Sequence, residues 1–153
     1  MTDELAEPTP IKLGLPQQRR RPRRAAQAAD AAAIEYQPDA EALALARRIV
    51  DLAEDKKASD IVLLEIGRLT SMADYFVICT GRSDRQLQAL ASGIMDALRD
   101  DGIRPLGVEG KGAARWVLLD YGAVIVHLFA PEEREFYGLE RLWSNATQVV
   151  RLV

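Results

Sequence analysis

The stretch WVLLDYGAVIVHLF, residues 116–129, contains two short apolar runs on either side of the dipeptide Tyr121-Gly122. Neither run is long enough for a buried helix, and both are rich in residues that favour strands. The dipeptide between them is short enough for a tight hairpin. We therefore predict two antiparallel neighbouring strands, over residues 115–120 and 123–129.

Two further apolar runs precede this hairpin. Residues 59–66 include the sequence IVLL at 61–64, and residues 74–80 include YFVIC at 75–79, ending at Gly81. Short runs without polar alternation are typical of strands that are covered on both faces. A shorter extended piece, residues 106–109, leads into the flexible loop Gly110-Lys111-Gly112. The sequence thus predicts a sheet of at least five strands.

Three segments carry the signals of helices. Asp39 is an N-cap candidate ahead of apolar residues at helical spacing from 42 to 53, and Ser83 with Gln86 forms a capping box ahead of a helix that Gly102 ends. Pro131 opens a third helix. Its predicted apolar stripe consists of Phe136, Leu139 and Trp143. The predicted order is α-β-β-α-β-β-β-α, an α/β fold with helices packed on a mixed sheet; residues 145–153 receive no assignment.

Composition and charge exclude several classes of protein. The chain has 153 residues, which suits one domain plus a tail, and no apolar stretch is long enough to span a membrane. Residues 1–7 contain three acids and no apolar run, so they resemble neither a secretory signal nor a mitochondrial leader, and we expect a cytoplasmic protein. The net charge of −3 argues against a domain that wraps nucleic acid.

Residues 1–38 are rich in proline, arginine and alanine and hold few large apolar side chains. Such a segment buries too little surface to offset chain entropy, so we predict a disordered extension ahead of a folded domain over residues 39–153. Its arginine cluster is a candidate for weak contact with ribosomal RNA or another polyanion, although a solvated tail is the plainer interpretation. The cluster consists of Arg19, Arg20, Arg21, Arg23 and Arg24.

Few residues of this sequence suggest catalysis. His127 is the only histidine and Cys79 the only cysteine, and both lie inside apolar strands where packing is the simpler role. The turn Gly81 to Ser83 precedes a helix, where free N–H groups can cradle a phosphate, but any capped helix shows such a turn. We therefore predict no catalytic residue, no metal site and no cofactor.

Carboxylates on a strand after a Gly-Ser turn would suggest metal-dependent nucleotidyl transfer. Two magnesium ions need several converging carboxylates, but Asp120 has Leu118 rather than an acid two residues before it. A two-metal site is therefore disfavoured.

The informative segment is GVEGKGAARWVLLDYG, residues 107–122, in which a glycine-bracketed loop leads to Trp116 and then to Tyr121. Tryptophan and tyrosine often anchor protein interfaces, because each covers a large area at a small entropic cost. A core position for Trp116 is about equally compatible with the sequence alone.

Four strings of this sequence, in this order, resemble the ribosomal silencing factor family, also called Iojap-like proteins. They are SMADYFVICTGRSDRQ at 71–86, PLGVEG at 105–110, WVLLDYGAVIVHLF at 116–129 and REFYGLERLW at 134–143. The resemblance covers residues 41–143, about two thirds of the chain, and several separate motifs in register are more specific than any one of them.

The resemblance implies a nucleotidyltransferase-like fold without catalytic carboxylates, in a protein that is not an enzyme. Members of this family bind the fourteenth protein of the large ribosomal subunit, block joining of the small subunit, and lower translation when nutrients are scarce. Such a protein would be a monomer or a weak homodimer. Carried over to this chain, the contact surface consists of Glu109, Gly110, Trp116, Leu118, Asp120 and Tyr121.

Two alternatives stay open at this point. One is a reduced nucleotidyltransferase that uses Asp120 and the turn at Gly81, and the other is an RNA-binding protein that acts through the arginine cluster. The sequence also departs from the family pattern, which usually has an acid where this chain has Ala123, and this change could weaken one polar contact.

Overall fold

The computed structural model describes residues 36–110 and 113–153. The arginine cluster, Lys111 and all of the predicted disordered extension before residue 36 lie outside the described residues. The helices and strands, in chain order, are α1 Ala40–Asp55, β1 Ser59–Glu65, β2 Tyr75–Thr80, α2 Asp84–Asp100, β3 Gly107–Glu109, β4 Trp116–Asp120, β5 Val124–Phe129, α3 Pro131–Tyr137, α4 Leu139–Leu142 and β6 Thr147–Leu152.

The predicted helix starts are confirmed by their capping contacts. The Asp39 side chain accepts a hydrogen bond from the backbone N–H of Glu41 at 3.1 Å. Ser83 Oγ accepts from the backbone N–H of Gln86 at 3.0 Å, and Gln86 Oε1 accepts from the backbone N–H of Arg82 at 2.7 Å. These three contacts satisfy N–H groups at or just before a helix start that would otherwise be unpaired. Gly102 follows the end of α2, as predicted, and its φ of 83° is a conformation that favours glycine.

The sheet has six strands in the order β3-β4-β5-β2-β1-β6. β2 and β5 run parallel, and the other neighbouring pairs are antiparallel, which confirms a mixed sheet and the predicted hairpin of β4 and β5. Trp116 lies opposite Phe129, which in turn lies opposite Thr80. These three residues therefore mark one end of the sheet.

The two faces of the sheet have separate cores. On one face, which we call the helix face, the long helices α1 and α2 cover a cluster that includes Ile49, Leu90 and Val126. The opposite face, which we call the open face, carries a smaller cluster around Phe76 and Phe129, packed against residues of α3, α4 and the segment that follows them. Side chains alternate between the faces along each strand, so even-numbered residues of β4 lie on the open face.

Two parts of the C-terminal region differ from the sequence prediction. Residues 147–152, which had no assignment, form β6 and pair with β1 in antiparallel register. The single helix predicted after Pro131 is wrong, because Gly138 adopts a left-handed conformation with φ 57° and separates α3 from α4. The predicted apolar stripe is also wrong at Phe136, which is 68% exposed, whereas Leu139 is buried.

In the part of the chain that the structure describes, none of the helices combines the length and apolarity needed to cross a membrane.

Candidate partner-binding surface

Trp116 is the first residue of β4 and lies half-buried on the open face. Its ring centroid is 4.8 Å from that of Phe129 and 4.6 Å from that of Tyr137, at tilted angles. The indole N–H donates a hydrogen bond to Nδ1 of His127 at 3.2 Å. The tryptophan is therefore fixed from below by β5 and from the side by the end of α3.

The aromatic surface continues outward from Trp116 along α3. Phe136 contacts Tyr137 edge-to-face, with centroids 5.0 Å apart, and Phe136 is 68% exposed. We call Trp116, Phe136 and Tyr137 the aromatic patch. The sequence prediction missed Phe136 and Tyr137 as surface residues, because Phe136 was assigned to an inward stripe. The string REFYGLERLW does contain a signal that the helix ends early, since its glycine directly follows the two aromatic residues.

Three other predicted site residues share the face of Trp116. Glu109 lies opposite Leu118 in the pairing of β3 with β4, so both belong to the open face. Leu118 and Asp120 are only 3% and 2% exposed. Asp120 Oδ1 accepts a hydrogen bond from the backbone N–H of Gly122 at 2.9 Å, which stabilises the hairpin turn. Of these three side chains, only that of Glu109 has substantial exposed surface.

Tyr121 is not on this face. It is 8% exposed and belongs to the core beneath α1 and α2. The prediction that Trp116 and Tyr121 form one aromatic surface is therefore wrong, because residues an odd number apart in an extended chain point to opposite faces. Burial raises the pKa of the Tyr121 hydroxyl to about 12.

Gly110 has a structural reason for lacking a side chain. Its φ is 86°, and a Cβ built there would overlap the carbonyl oxygen of Trp116. Glycine is thus required both for the backbone conformation and for the close approach of the loop to β4. Through this contact, Gly110 helps to set the position at which Trp116 enters the sheet.

His127 and Cys79 are both completely buried, in agreement with the packing roles predicted for them. Burial lowers the pKa of His127 to about 3 and raises the pKa of the Cys79 thiol to about 12. The imidazole is therefore neutral and the thiol protonated near pH 7. Neither is a good proton shuttle or nucleophile in this state.

The candidate sites for phosphate and metal binding gain no support from the geometry. At the start of α2, Ser83 Oγ already accepts from the N–H of Gln86, and Gln86 Oε1 accepts from the N–H of Arg82. Within residues 36–110 and 113–153, no three His, Cys, Asp or Glu side chains are grouped so as to hold a metal ion. Asp120 is engaged in the hairpin turn instead.

Arg134 attaches α3 and α4 to the end of the sheet at which Trp116 and Thr80 lie. The side chain of Arg134 is only 10% exposed and donates to the backbone oxygen of Asp60 at 2.6 Å, to Thr80 Oγ1 at 2.9 Å and to Glu140 Oε1 at 2.9 Å. Arg151 of β6 joins this group through Asp60 at 2.9 Å and Glu140 at 3.5 Å. The hydrogen bond from Arg134 lowers the pKa of Glu140, which keeps the carboxylate charged. We call Arg134, Arg151, Asp60 and Glu140 the arginine network.

Comparison with known proteins gives consistent matches. The family model described as "Ribosomal silencing factor during starvation" matches residues 39–152. A ribosomal silencing factor of Bacillus subtilis is 47% identical over 93 residues, which are 61% of this chain and 79% of that protein. The mouse "Mitochondrial assembly of ribosomal large subunit protein 1" is 34% identical over 99 residues, 63% of this chain and 43% of that protein. A crystal structure from Chromobacterium violaceum, 35% identical, has a TM-score of 0.65 and covers 67% of this chain and 85% of that one.

Proposed function

The chain belongs to the ribosomal silencing factor family, and from this premise we propose that it binds the large ribosomal subunit through the fourteenth large-subunit protein and blocks joining of the small subunit. The proposed mechanism is steric exclusion in the cytoplasm. The bound domain covers the surface of the large subunit on which the small subunit docks. No bond is made or broken, so the effect depends on the affinity and concentration of the protein.

The observation that carries this proposal is the aromatic patch. Phe136 is a large apolar side chain that is 68% exposed, and it adjoins the half-buried rings of Tyr137 and Trp116. Exposed aromatic residues that are supported by a packed layer below are the usual anchors of protein interfaces. Since the ring of Trp116 is held by contacts with Phe129 and His127, it loses little conformational entropy on binding.

The names of the relatives support a role on the large subunit. The bacterial relative is named a ribosomal silencing factor, and the mouse relative is named for assembly of the ribosomal large subunit. The family resemblance of the loop and hairpin, residues 105–129, suggests the fourteenth large-subunit protein as the specific contact.

The competing enzymatic hypothesis lacks a comparable observation. Asp120 stabilises the hairpin turn, and the described residues hold no cluster of metal-binding side chains. If the chain nevertheless bound nucleotides, calorimetric titration with ATP and magnesium would release or absorb heat. We expect no measurable heat from that titration.

The main test is sedimentation of the purified protein with isolated large subunits. We expect the wild-type chain to sediment with them and Trp116→Ala to bind at least about 30-fold more weakly, since a central tryptophan in an interface contributes on the order of 2 kcal/mol or more. In parallel, light scattering should show that saturating wild-type protein slows association of the two subunits and that Trp116→Ala does not. Unchanged association in the presence of saturating wild-type protein would rule out the proposed mechanism.

Two controls separate the patch from other causes. Trp143→Ala removes the other tryptophan, which packs on Phe76 with centroids 5.3 Å apart, and the folded variant should still sediment with the large subunit. Deleting residues 1–35 removes the arginine cluster but keeps Tyr36, which hydrogen-bonds Asp74 at 3.3 Å. Retained binding by this truncated chain supports contact through the folded domain, whereas lost binding supports the arginine cluster.

A further inference from the structure

The polar atom of the Trp116 indole is turned away from the surface. Its N–H donates to His127 Nδ1 at 3.2 Å, and His127 is completely buried. A tryptophan in an interface commonly offers this N–H to its partner. In this protein the hydrogen bond is already made within the domain, so the exposed part of the ring is apolar.

The acceptor is held in a fixed orientation. The His127 ring contacts Phe76 edge-to-face, with centroids 4.6 Å apart, and lies stacked beside Phe129 at 6.1 Å. Because Nδ1 accepts a hydrogen bond, the neutral ring carries its proton on Nε2. The low pKa that burial produces keeps the ring in this neutral form near pH 7. The indole therefore meets a permanent acceptor in a single geometry.

This arrangement has an energetic cost that packing alone does not explain. Nε2 of His127 is buried and has no hydrogen-bond partner among the described residues. An unpaired buried polar atom lowers stability, and a phenylalanine at this position would fill similar space without that cost. A need for the Nδ1 acceptor accounts for the presence of a histidine.

We propose that His127 is a positioning residue for the partner-binding surface: it draws the indole N–H of Trp116 inward, so that the surface offered to the partner is apolar. The inference rests on the proposed function. It also defines the partner's chemistry, because the protein side chain that covers Trp116 is apolar and needs no hydrogen-bond acceptor. Tyr137 and Phe136 extend the same apolar surface along α3.

The direct test uses protein labelled with ¹⁵N in the tryptophan indoles, with the two signals assigned through Trp143→Phe. In the wild-type chain, the Trp116 N–H should exchange slowly with solvent, and ¹⁵N-labelled His127 should show an acceptor at Nδ1 and a proton at Nε2. Exchange of the Trp116 N–H as fast as that of free tryptophan would overturn the proposal, whatever the variants do.

Two substitutions then connect the geometry to binding. His127→Phe removes the acceptor, and we expect the Trp116 indole signal to shift, its exchange to accelerate, and binding to large subunits to weaken about tenfold. His127→Gln retains an acceptor oxygen and should recover part of both the protection and the binding. Wild-type binding by a folded His127→Phe variant would refute the positioning role.

The outcomes for the two proposals are distinguishable. If Trp116→Ala binds large subunits as well as the wild-type chain, the proposed surface itself fails. If Trp116→Ala loses binding and His127→Phe keeps it, the surface stands and the role of His127 fails. A partner site that places a charged or hydrogen-bonding group against Trp116 would also contradict the inferred chemistry.

Discussion

The two faces of the sheet are covered to very different extents. On the helix face, α1 and α2 have 16 and 17 residues and bury a continuous core. On the open face, α3 and α4 have only seven and four residues, and no residue of α3 is fully buried. With the proposed partner-binding surface on the open face, the residues that contribute most to stability and those proposed to bind the partner lie on opposite sides of one sheet. The helix face holds the fold together, so the open face is free to leave aromatic rings accessible.

The largest effect we expect from this division is on stability at the helix face. Leu90 of α2 is completely buried, and Leu90→Ala should lower the free energy of unfolding by about 3 kcal/mol, because it removes apolar contacts and leaves a cavity. Chemical denaturation measures this change, and Arg85→Ala, an exposed substitution on the same helix, is the control. Binding by the folded fraction of Leu90→Ala should stay at the wild-type level. Weakened binding would show that the faces are coupled.

A smaller effect should appear when the pH is lowered. The pKa of His127 in the folded protein is about 3, below its ordinary value of 6.5, so the unfolded chain binds the proton more readily between these pH values. The free energy of unfolding therefore falls as the pH drops below about 6.5, by about 2 kcal/mol between pH 7 and pH 5 from this residue.

The measurement for this prediction is denaturation at several pH values for the wild-type chain and His127→Gln. Subtraction of the two curves removes the contributions of carboxylates such as Glu140, which both proteins share. We expect the wild-type chain to lose more stability than the variant on acidification. Parallel curves would mean that His127 is not buried as a neutral ring, and the open face would then be less closely packed than the structure shows.

The smallest effect on stability should come from the exposed end of the aromatic patch. Phe136→Ala should change the free energy of unfolding by less than about 0.5 kcal/mol, because the side chain is 68% exposed. Binding to large subunits should nevertheless weaken several-fold if Phe136 contacts the partner. Leu106→Ala is a matched control, since Leu106 is 66% exposed but hydrogen-bonds through its backbone to Asp120, at the other end of β4. Equal effects of the two substitutions on binding would contradict the assignment of the patch.

The parts of the fold that could be predicted are those that local chemistry encodes. Asp39 and the pair Ser83 and Gln86 cap helices through residues two to four positions away, so their signals are visible in a short window of sequence. The hairpin of β4 and β5 is equally local, because its two strands are joined by a few residues.

β6 could not be predicted in the same way. Its residues, Thr147–Leu152, pair with β1, which lies more than 80 residues earlier in the chain. Its pattern of exposure is mixed, with only partly buried apolar residues, so neither alternation nor a continuous apolar run marks it as a strand. Its structure depends on a distant pairing partner that no local window contains.

The candidate surface was predictable in part. The sequence left Trp116 open between a core and an interface position, and the structure shows it partly buried on the open face. Contact of Trp116 or Gly110 with a partner stays a prediction. The placement of Tyr121 with Trp116 was an avoidable error, because five residues separate them and strand alternation assigns them to opposite faces. Phe136 was missed for a different reason: its exposure depends on the left-handed Gly138, and a helical pattern alone cannot show where α3 stops.

The arginine network has a practical consequence for handling this protein. Arg151 in the last strand contacts Asp60 and Glu140, which Arg134 shares, and Arg134 belongs to the same short helix as Phe136 and Tyr137. A purification handle fused after Val153 would therefore be attached directly to β6, the strand that helps to hold α3 in place. Tyr36, in contrast, enters the domain beside Asp74, at the end of the sheet away from Trp116. We expect a handle or fluorophore joined on that side to leave the aromatic patch unperturbed.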